Sequence, residues 1–358
     1  MRGIVWQVSG LAAAPIRNLR NPVRSSSELP GCAVFLSNIA ACRHDVIRSS
    51  MNRSRTVFAF ATLAICMPRH AGAWGCTGHH VVARIAREHL SLAARTAVEE
   101  LLTAYPIEQH LPRFCNDQSA DPFISAATWA DDVKRAEGTG TWHYIDVPSS
   151  LTTGDLRPYC DPVGTMFNGT RPGCIVSAIH SQLDDLRYGS KQQRTKALRY
   201  LIHLIGDLHQ PLHVNDNNDR GGNCISVHFS TRTINLHSLW DSGMLDDLLA
   251  EQHVTEEQYA TRLDRRFREK SSIWPGSESD VEHWVWEVHN LGVPIAYGKL
   301  TPAVAYESPD PKASCDAKLR ERNIVANKDY EKAAMDVIDR LLAEGGYRLA
   351  GLLNQIWP

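Results

Sequence analysis

The sequence predicts an all-α fold: a single mainly helical domain over residues 74–358, with one small β-hairpin. Three observations carry this expectation. Apolar residues recur at three- and four-residue spacing through most of the stretch. Only ISVHFSTRTINL (225–236) alternates like a pair of strands. No internal repeat or low-complexity linker interrupts it, and 43% hydrophobic content over 358 residues is ample for a packed core.

The elements follow in order. GHHVVARIAREHL (78–90) puts Val82, Ile85, Ala86 and Leu90 near one face. SLAARTAVEELL (91–102) opens on Ser91, an N-cap residue type. CIVSAIHSQLDDL (174–186) and the 191–210 segment read as helices. Pro211, which lacks an amide proton, ends the second of these and leaves His213 in the following loop. Beyond the hairpin come HSLWDSGMLDDLL (237–249), DVEHWVWEVHNLG (280–292) and NKDYEKAAMDVIDRLLAEGG (327–346). Gly345-Gly346 is the expected C-cap of the last.

Ahead of this domain, Met51 begins MNRSRTVFAFATLAICMPRHAGA. Arg53 and Arg55 form a basic start, and Val57 to Met67 is apolar but too short to span a bilayer. Ala71-Gly72-Ala73 fits small-x-small cleavage. Residues 51–73 are therefore expected to be a signal peptide ending at Ala73. The processed protein would be secreted or periplasmic, without a membrane anchor and with Trp74 at its N-terminus. Residues 1–50 are expected to be a disordered leader or an unused upstream start.

Charge divides at the same point. Residues 1–73 hold nine arginines and two acidic residues, leaving 29 basic and 38 acidic residues beyond, a formal −9. Such a chain is a poor electrostatic partner for nucleic acid or anionic membrane unless bound cations supply positive charge. Six cysteines follow Trp74, none in a CxxC pair. With an export signal they suggest up to three disulfides, of fifteen possible pairings; zinc–thiolate ligation is the alternative.

RYLIHLIGDLHQPLHV (199–214) sets His203, Asp207, His209 and His213 in an apolar helical run. Unpaired polar groups in a core cost roughly 1–3 kcal/mol each, so the stretch needs a reason. His203 and Asp207 are four apart and share a helical face, whereas His209 points elsewhere. NLHSLWDSG repeats the His-x₃-Asp spacing with His237 and Asp241 among Leu236, Leu239, Trp240 and Leu245. Two buried imidazole–carboxylate pairs indicate metal sites of a kind that suits zinc. Asp131 in TWADDVK and His143 in the aromatic, β-leaning TWHYIDVP are weaker candidates alone. At Trp74-Gly75-Cys76-Thr77-Gly78-His79-His80, a free α-amine and carbonyl of Trp74 could chelate a cation, with His79 or His80 reaching back.

Together WGCTGH, WADDVK, WHYID, HLIGDLHQPLH, RGGN, LHSLWD and GYRLAGLLN resemble the zinc-dependent class I nucleases. These are the single-strand-specific nuclease/3′-nucleotidase family, in a superfamily shared with zinc phospholipase C. The resemblance runs over the whole stretch from Trp74, with motifs in family order. It implies an all-helical scaffold and three zinc ions. The first would take Asp131, His143, His203 and Asp207, and the second His213, His237 and Asp241. The third would take the Trp74 amine and carbonyl, His79 and the other oxygen of Asp207. His209 and His80 fall outside that set. Lys134 stands where many members carry Arg, keeping a cation for phosphate without the bidentate fork. Tyr144 matches an aromatic that stacks on a nucleobase, and Asp146 and Asn223 match positions that hydrogen-bond it. The implied activity is cleavage of single-stranded DNA and RNA to 5′-phosphate products, together with hydrolysis of 3′-nucleotides. Asp131 would orient the nucleophile, Lys134 would face the phosphate, and the protein would act as a monomer.

Two other readings stand beside this one. A zinc phospholipase C would have a longer gap between Trp74 and its first His, and a Glu at position 241. A secreted zinc-binding protein without turnover would lack a bridging ligand, yet all nine positions are filled. Asn168-Gly169-Thr170 is a glycosylation sequon, meaningful in a eukaryotic secretory host.

Overall fold

Helix α1 (Cys76–Glu88) enters the core almost at once, burying Val81, Val82, Ile85 and Ala86. The computed structural model describes residues 74–115, 119–310, 315 and 323–358. The leader and signal-peptide assignments lie outside the described residues. Ser91 caps α2 (Leu92–Ala104) as expected, accepting the Ala94 N–H at 3.0 Å. Two short helices absent from the sequence reading follow: α3 (Pro122–Ala126) and α4 (Trp129–Glu137). Helix α5 (Ile175–Tyr188) packs on α6 (Lys191–Leu208), which opens with a Ser190/Gln193 capping box. Helix α6 is the centre of the fold, and every residue from Ala197 to Leu208 is buried.

Strands β1 (Ser226–Phe229) and β2 (Arg232–Asn235) form the expected antiparallel hairpin. The hairpin does not stand alone, however: β3 (Ile324–Ala326) pairs parallel to β1, giving the order β2-β1-β3. Three residues are too few to show an alternating pattern. The helix expected over 237–249 is broken in three: α7 (Leu236–Ser238), a π-helical turn (Leu239–Gly243) and α8 (Met244–Gln252). Helix α9 (Glu256–Phe267) was not expected, although Thr255 and Gln258 form its capping box. Helix α10 (Val281–Gly298) continues through Pro294.

The last helix, α11 (Lys328–Ile356), corrects the expected stop at Gly345-Gly346. Both glycines are buried inside it. A Cβ on Gly346 would fall 2.6 Å from Ile85 Cβ, so this glycine serves close packing of α11 on α1. Three disulfides, Cys76–Cys115, Cys160–Cys174 and Cys224–Cys315, use all six cysteines and rule out zinc–thiolate ligation. Among the described residues no helix is long and apolar enough to cross a membrane.

Candidate metal centre

The site grows from the last turn of α6. His203 and Asp207 share a face there and are fully buried. His203 Nδ1–H donates to the Ala127 carbonyl at 2.7 Å, which leaves Nε2 as the lone-pair nitrogen of the neutral ring. That Nε2 stands 3.0 Å from Asp207 Oδ2 and 3.0 Å from His143 Nδ1. His143 Nδ1 is itself 2.9 Å from Asp207 Oδ2. It ends a 3-10 turn, Gly140–His143, rather than lying in an extended stretch.

Asp131 reaches in from α4. Its Oδ1 is 3.9 Å from His203 Nε2, 3.8 Å from His143 Nδ1 and 2.9 Å from Lys134 Nζ. From α1, the His79 ring stacks on His203 with centroids 4.0 Å apart, and its Nε2 is 3.2 Å from Asp207 Oδ1. Gly206 permits that stacking, because a Cβ there would meet His79 Nδ1 at 2.8 Å. Asp207 is thus approached on one oxygen by His79 and on the other by His143 and His203.

A second group adjoins the first. Helix α6 ends at Leu208, and Pro211–His213 forms a 3-10 turn. His213 Nδ1–H donates to the His143 carbonyl at 2.8 Å, and His237 Nδ1–H to the Gly221 carbonyl at 2.6 Å. Both Nε2 atoms face Asp241, at 3.7 Å from Oδ1 and 3.4 Å from Oδ2 respectively. Trp74 is buried beside this group, and the Gly75 N–H donates to the Asp241 carbonyl at 2.7 Å.

The donor chemistry fits a divalent metal. Three triplets, His79/Asp131/His203, His143/His203/Asp207 and His213/His237/Asp241, each bring ligand atoms within 4.8 Å of one another. His79 Nε2, Asp131 Oδ2, Asp207 Oδ1, His213 Nε2 and Asp241 Oδ2 are buried without hydrogen-bond partners. Clustered lone pairs that no N–H satisfies are what a cation would balance. Electrostatics point the same way. Burial opposes charge on His203, but Asp207 and Asp131 outweigh it and hold its pKa up at about 9. Burial, reinforced by His203, lowers His79 to about 4. Burial would raise Asp131, yet His203, Lys134 and His143 bring it down to about 2.

His209 stays outside the cluster. It is buried, donates from Nδ1 to the Ile205 carbonyl at 2.7 Å, and accepts from Arg348 Nη1 at 2.9 Å. His80 points to Glu256 on α9, with Nδ1 3.0 Å from Oε2. Tyr144 follows His143 directly and is 38% exposed, enough to present its ring. Asp146 is solvent-accessible, but surrounding protein and then Asp216 push its pKa up to about 6. Asn223 is half-buried, with its Nδ2 donating to the Arg220 carbonyl at 2.9 Å. Among the described residues no hydrogen bond joins Tyr144, Asp146 and Asn223 to one another. The sequence reading missed Gln210, whose Nε2 donates to Asp241 Oδ1 at 2.6 Å. The signal in the sequence is a polar residue between the candidate ligands Asp207 and His213 in an otherwise apolar run.

Comparison with known proteins adds an independent line. The family model described as S1/P1 Nuclease matches residues 74–358. Endonuclease 2 of Arabidopsis thaliana is 29% identical over 295 residues, covering 79% of this chain and 90% of that protein. Nuclease S1 of Aspergillus oryzae is 26% identical over 301 residues, covering 83% and 95%. Nuclease P1 of Penicillium citrinum is 28% identical over 297 residues, covering 79% and 97%. These relatives are nucleases, which does not favour the phospholipase reading.

Proposed function

The chain belongs to the S1/P1 nuclease family and is a hydrolytic nuclease, and from that premise we propose its finer activity. It is a secreted, zinc-dependent endonuclease that cleaves single-stranded DNA and RNA, leaves 5′-phosphate products and also hydrolyses 3′-nucleotides. The supporting observation is the convergence of buried imidazole and carboxylate groups, several of their atoms unpartnered, from α1, α4, α6, α7, two 3-10 turns and the π-helical turn. Such a set has no use in a core without a cation.

Three zinc ions would be held. Asp131, His143, His203 and Asp207 would hold the first, and His213, His237 and Asp241 the second. The Trp74 amine and carbonyl, His79 and Asp207 would hold the third. Bound zinc supplies Lewis acidity toward phosphate oxygens and lowers the pKa of water toward neutrality. The chain's own groups do the rest. Asp131 accepts a hydrogen bond from the attacking water and so aims it at phosphorus. The water oxygen bonds to phosphorus as the P–O3′ bond breaks, and the water's proton ends on the departing O3′, giving a 3′-hydroxyl and a 5′-phosphate. Lys134 Nζ, 2.9 Å from Asp131 Oδ1 and partly exposed, offers positive charge to a phosphate oxygen. Tyr144 stacks on a base, and Asp146 and Asn223 hydrogen-bond its edge. Stacking contributes roughly 1–3 kcal/mol per base and tolerates any sequence. It requires an unstacked base, which a duplex resists.

The test is digestion of heat-denatured DNA, RNA, duplex DNA, 3′-AMP and phosphatidylcholine by the zinc-loaded chain. Cleavage of both single strands and of 3′-AMP, sparing duplex and lipid, is expected. Lipid cleavage without nuclease activity, or an inert zinc-loaded protein, overturns the proposal.

A further inference from the structure

Gln210 is completely buried between the two donor groups. It bonds to three of the residues proposed as zinc ligands. Its N–H donates to the Asp207 carbonyl at 2.9 Å, and its own carbonyl accepts the His213 N–H at 2.9 Å. Its side chain does more. Nε2 donates to Asp241 Oδ1 at 2.6 Å, and Oε1 accepts the Leu212 N–H at 2.6 Å. The two partners fix the amide orientation, since a carboxylate can only accept and an N–H can only donate. Most residues at this position would make the main-chain bonds. The side-chain pair needs a neutral group with one donor and one acceptor.

A carboxylate is free to rotate about its terminal torsion. Holding Oδ1 with Nε2 removes that freedom, and Oδ2 is left facing His237 Nε2 at 3.4 Å with no hydrogen-bond partner. The same amide caps the turn that presents His213. The imidazoles of this group are fixed from behind by backbone carbonyls, at His143 and Gly221. Gln210 does the corresponding work for the carboxylate. Partners behind metal ligands set their orientation, and losing one typically costs 10–100-fold in metal affinity.

We propose that Gln210 is a positioning residue that aims Asp241 Oδ2 at the cation of the His213/His237/Asp241 site and couples this to the turn bearing His213. The inference rests on the three-zinc reading above. Its action is local: the Asp131/His143/His203 side of the centre has no side-chain bond to Gln210 among the described residues.

The experiment compares the processed wild type with Gln210→Met and Gln210→Glu. Zinc per chain is measured by atomic emission, site affinities by competition with a chromophoric chelator, and folding by near-ultraviolet circular dichroism. The wild type should hold three zincs. Gln210→Met should keep two at wild-type affinity and bind one 10–100-fold more weakly. Gln210→Glu keeps the size and the acceptor for the Leu212 N–H but replaces the donor facing Asp241 Oδ1 with a second carboxylate oxygen, and should weaken the same single site by at least about 10-fold. Should Gln210→Met fail to fold, Gln210→Glu decides. Unchanged affinities in both variants, or a weakening spread evenly over all three sites, overturns the positioning role. A wild type that holds fewer than three zincs overturns the underlying reading instead.

Discussion

Asp207 occupies the most demanding position in the site. His79 faces its Oδ1 at 3.2 Å, while His143 and His203 face its Oδ2 at 2.9 and 3.0 Å. An Asn can present an acceptor to only one of those sides and turns N–H groups on the other. Asp207→Asn should therefore lower both zinc content and single-strand cleavage. Activity should fall by more than ~100-fold, because losing a mere outer partner already costs up to that much. His209→Ala should leave zinc bound. It removes the hydrogen bond of the buried Arg348 Nη1 and leaves that nitrogen only the longer ion pair to Glu344 at 3.8 Å, at a cost of about 1–3 kcal/mol in stability. Zinc analysis with chemical denaturation separates the two, and zinc loss in His209→Ala would contradict the assignment. The sequence distinguishes these histidines because His203 and His237 each have an Asp four residues on, and His209 does not. It says nothing comparable about Gln210, whose role exists only once Asp241 is folded against it.

At the scale of elements, spacing was most legible where helices are long and amphipathic, as in α1, α5 and α6. It failed where tertiary contact overrides local preference. The paired glycines of α11 look like a stop, yet they are sites of contact with Ile85 and His209. The His237–Asp241 spacing fits an α-helix, yet the pair spans a short helix that passes into a π-helical turn, and the two side chains still meet because the chain keeps winding in the same sense. The loop after His213 shows another such dependence. Asp219 is fully buried there, its Oδ1 accepting from the Gly222 N–H at 2.8 Å and the Tyr297 hydroxyl at 3.2 Å. Its Oδ2 has no hydrogen-bond partner. Burial foremost, with Asp216 adding, pushes its pKa up to about 6. The folded chain then keeps a proton that the unfolded chain releases near pH ~3.9. Stability from this group is complete below that pH and is lost as pH rises through about 6, by about 3 kcal/mol. Asp219→Asn should match the wild type near pH ~4 and exceed it at neutral pH by up to that amount. Urea denaturation of both proteins at the two pH values checks the sign, and a constant difference would refute it.

For the whole molecule, the three-zinc reading makes a domain of formal charge −9 over residues 74–358 dependent on its cations for a polyanionic substrate, and would tie their number to where the processed chain starts. The first described residues are held on three counts. The Trp74 indole is buried, the Gly75 N–H is bonded to the Asp241 carbonyl, and Cys76 is bridged to Cys115. Export cleavage after Ala73 would create an α-amine on this fixed residue, within the chain segment that leads to His79. A free α-amine has a pKa near ~7.7–8.0 and gives up its proton to a metal at small cost. An amide nitrogen at the same place has no available lone pair. A chain beginning at Trp74 should then carry three zincs. The same chain with one extra alanine in front should carry two, with single-strand cleavage reduced and melting otherwise unchanged apart from the lost metal contribution. Mass spectrometry to verify the N-terminus, with zinc analysis of both forms, makes the comparison. Equal zinc in the two forms would remove Trp74 from the ligand set and leave His79 and Asp207 to hold a cation without it.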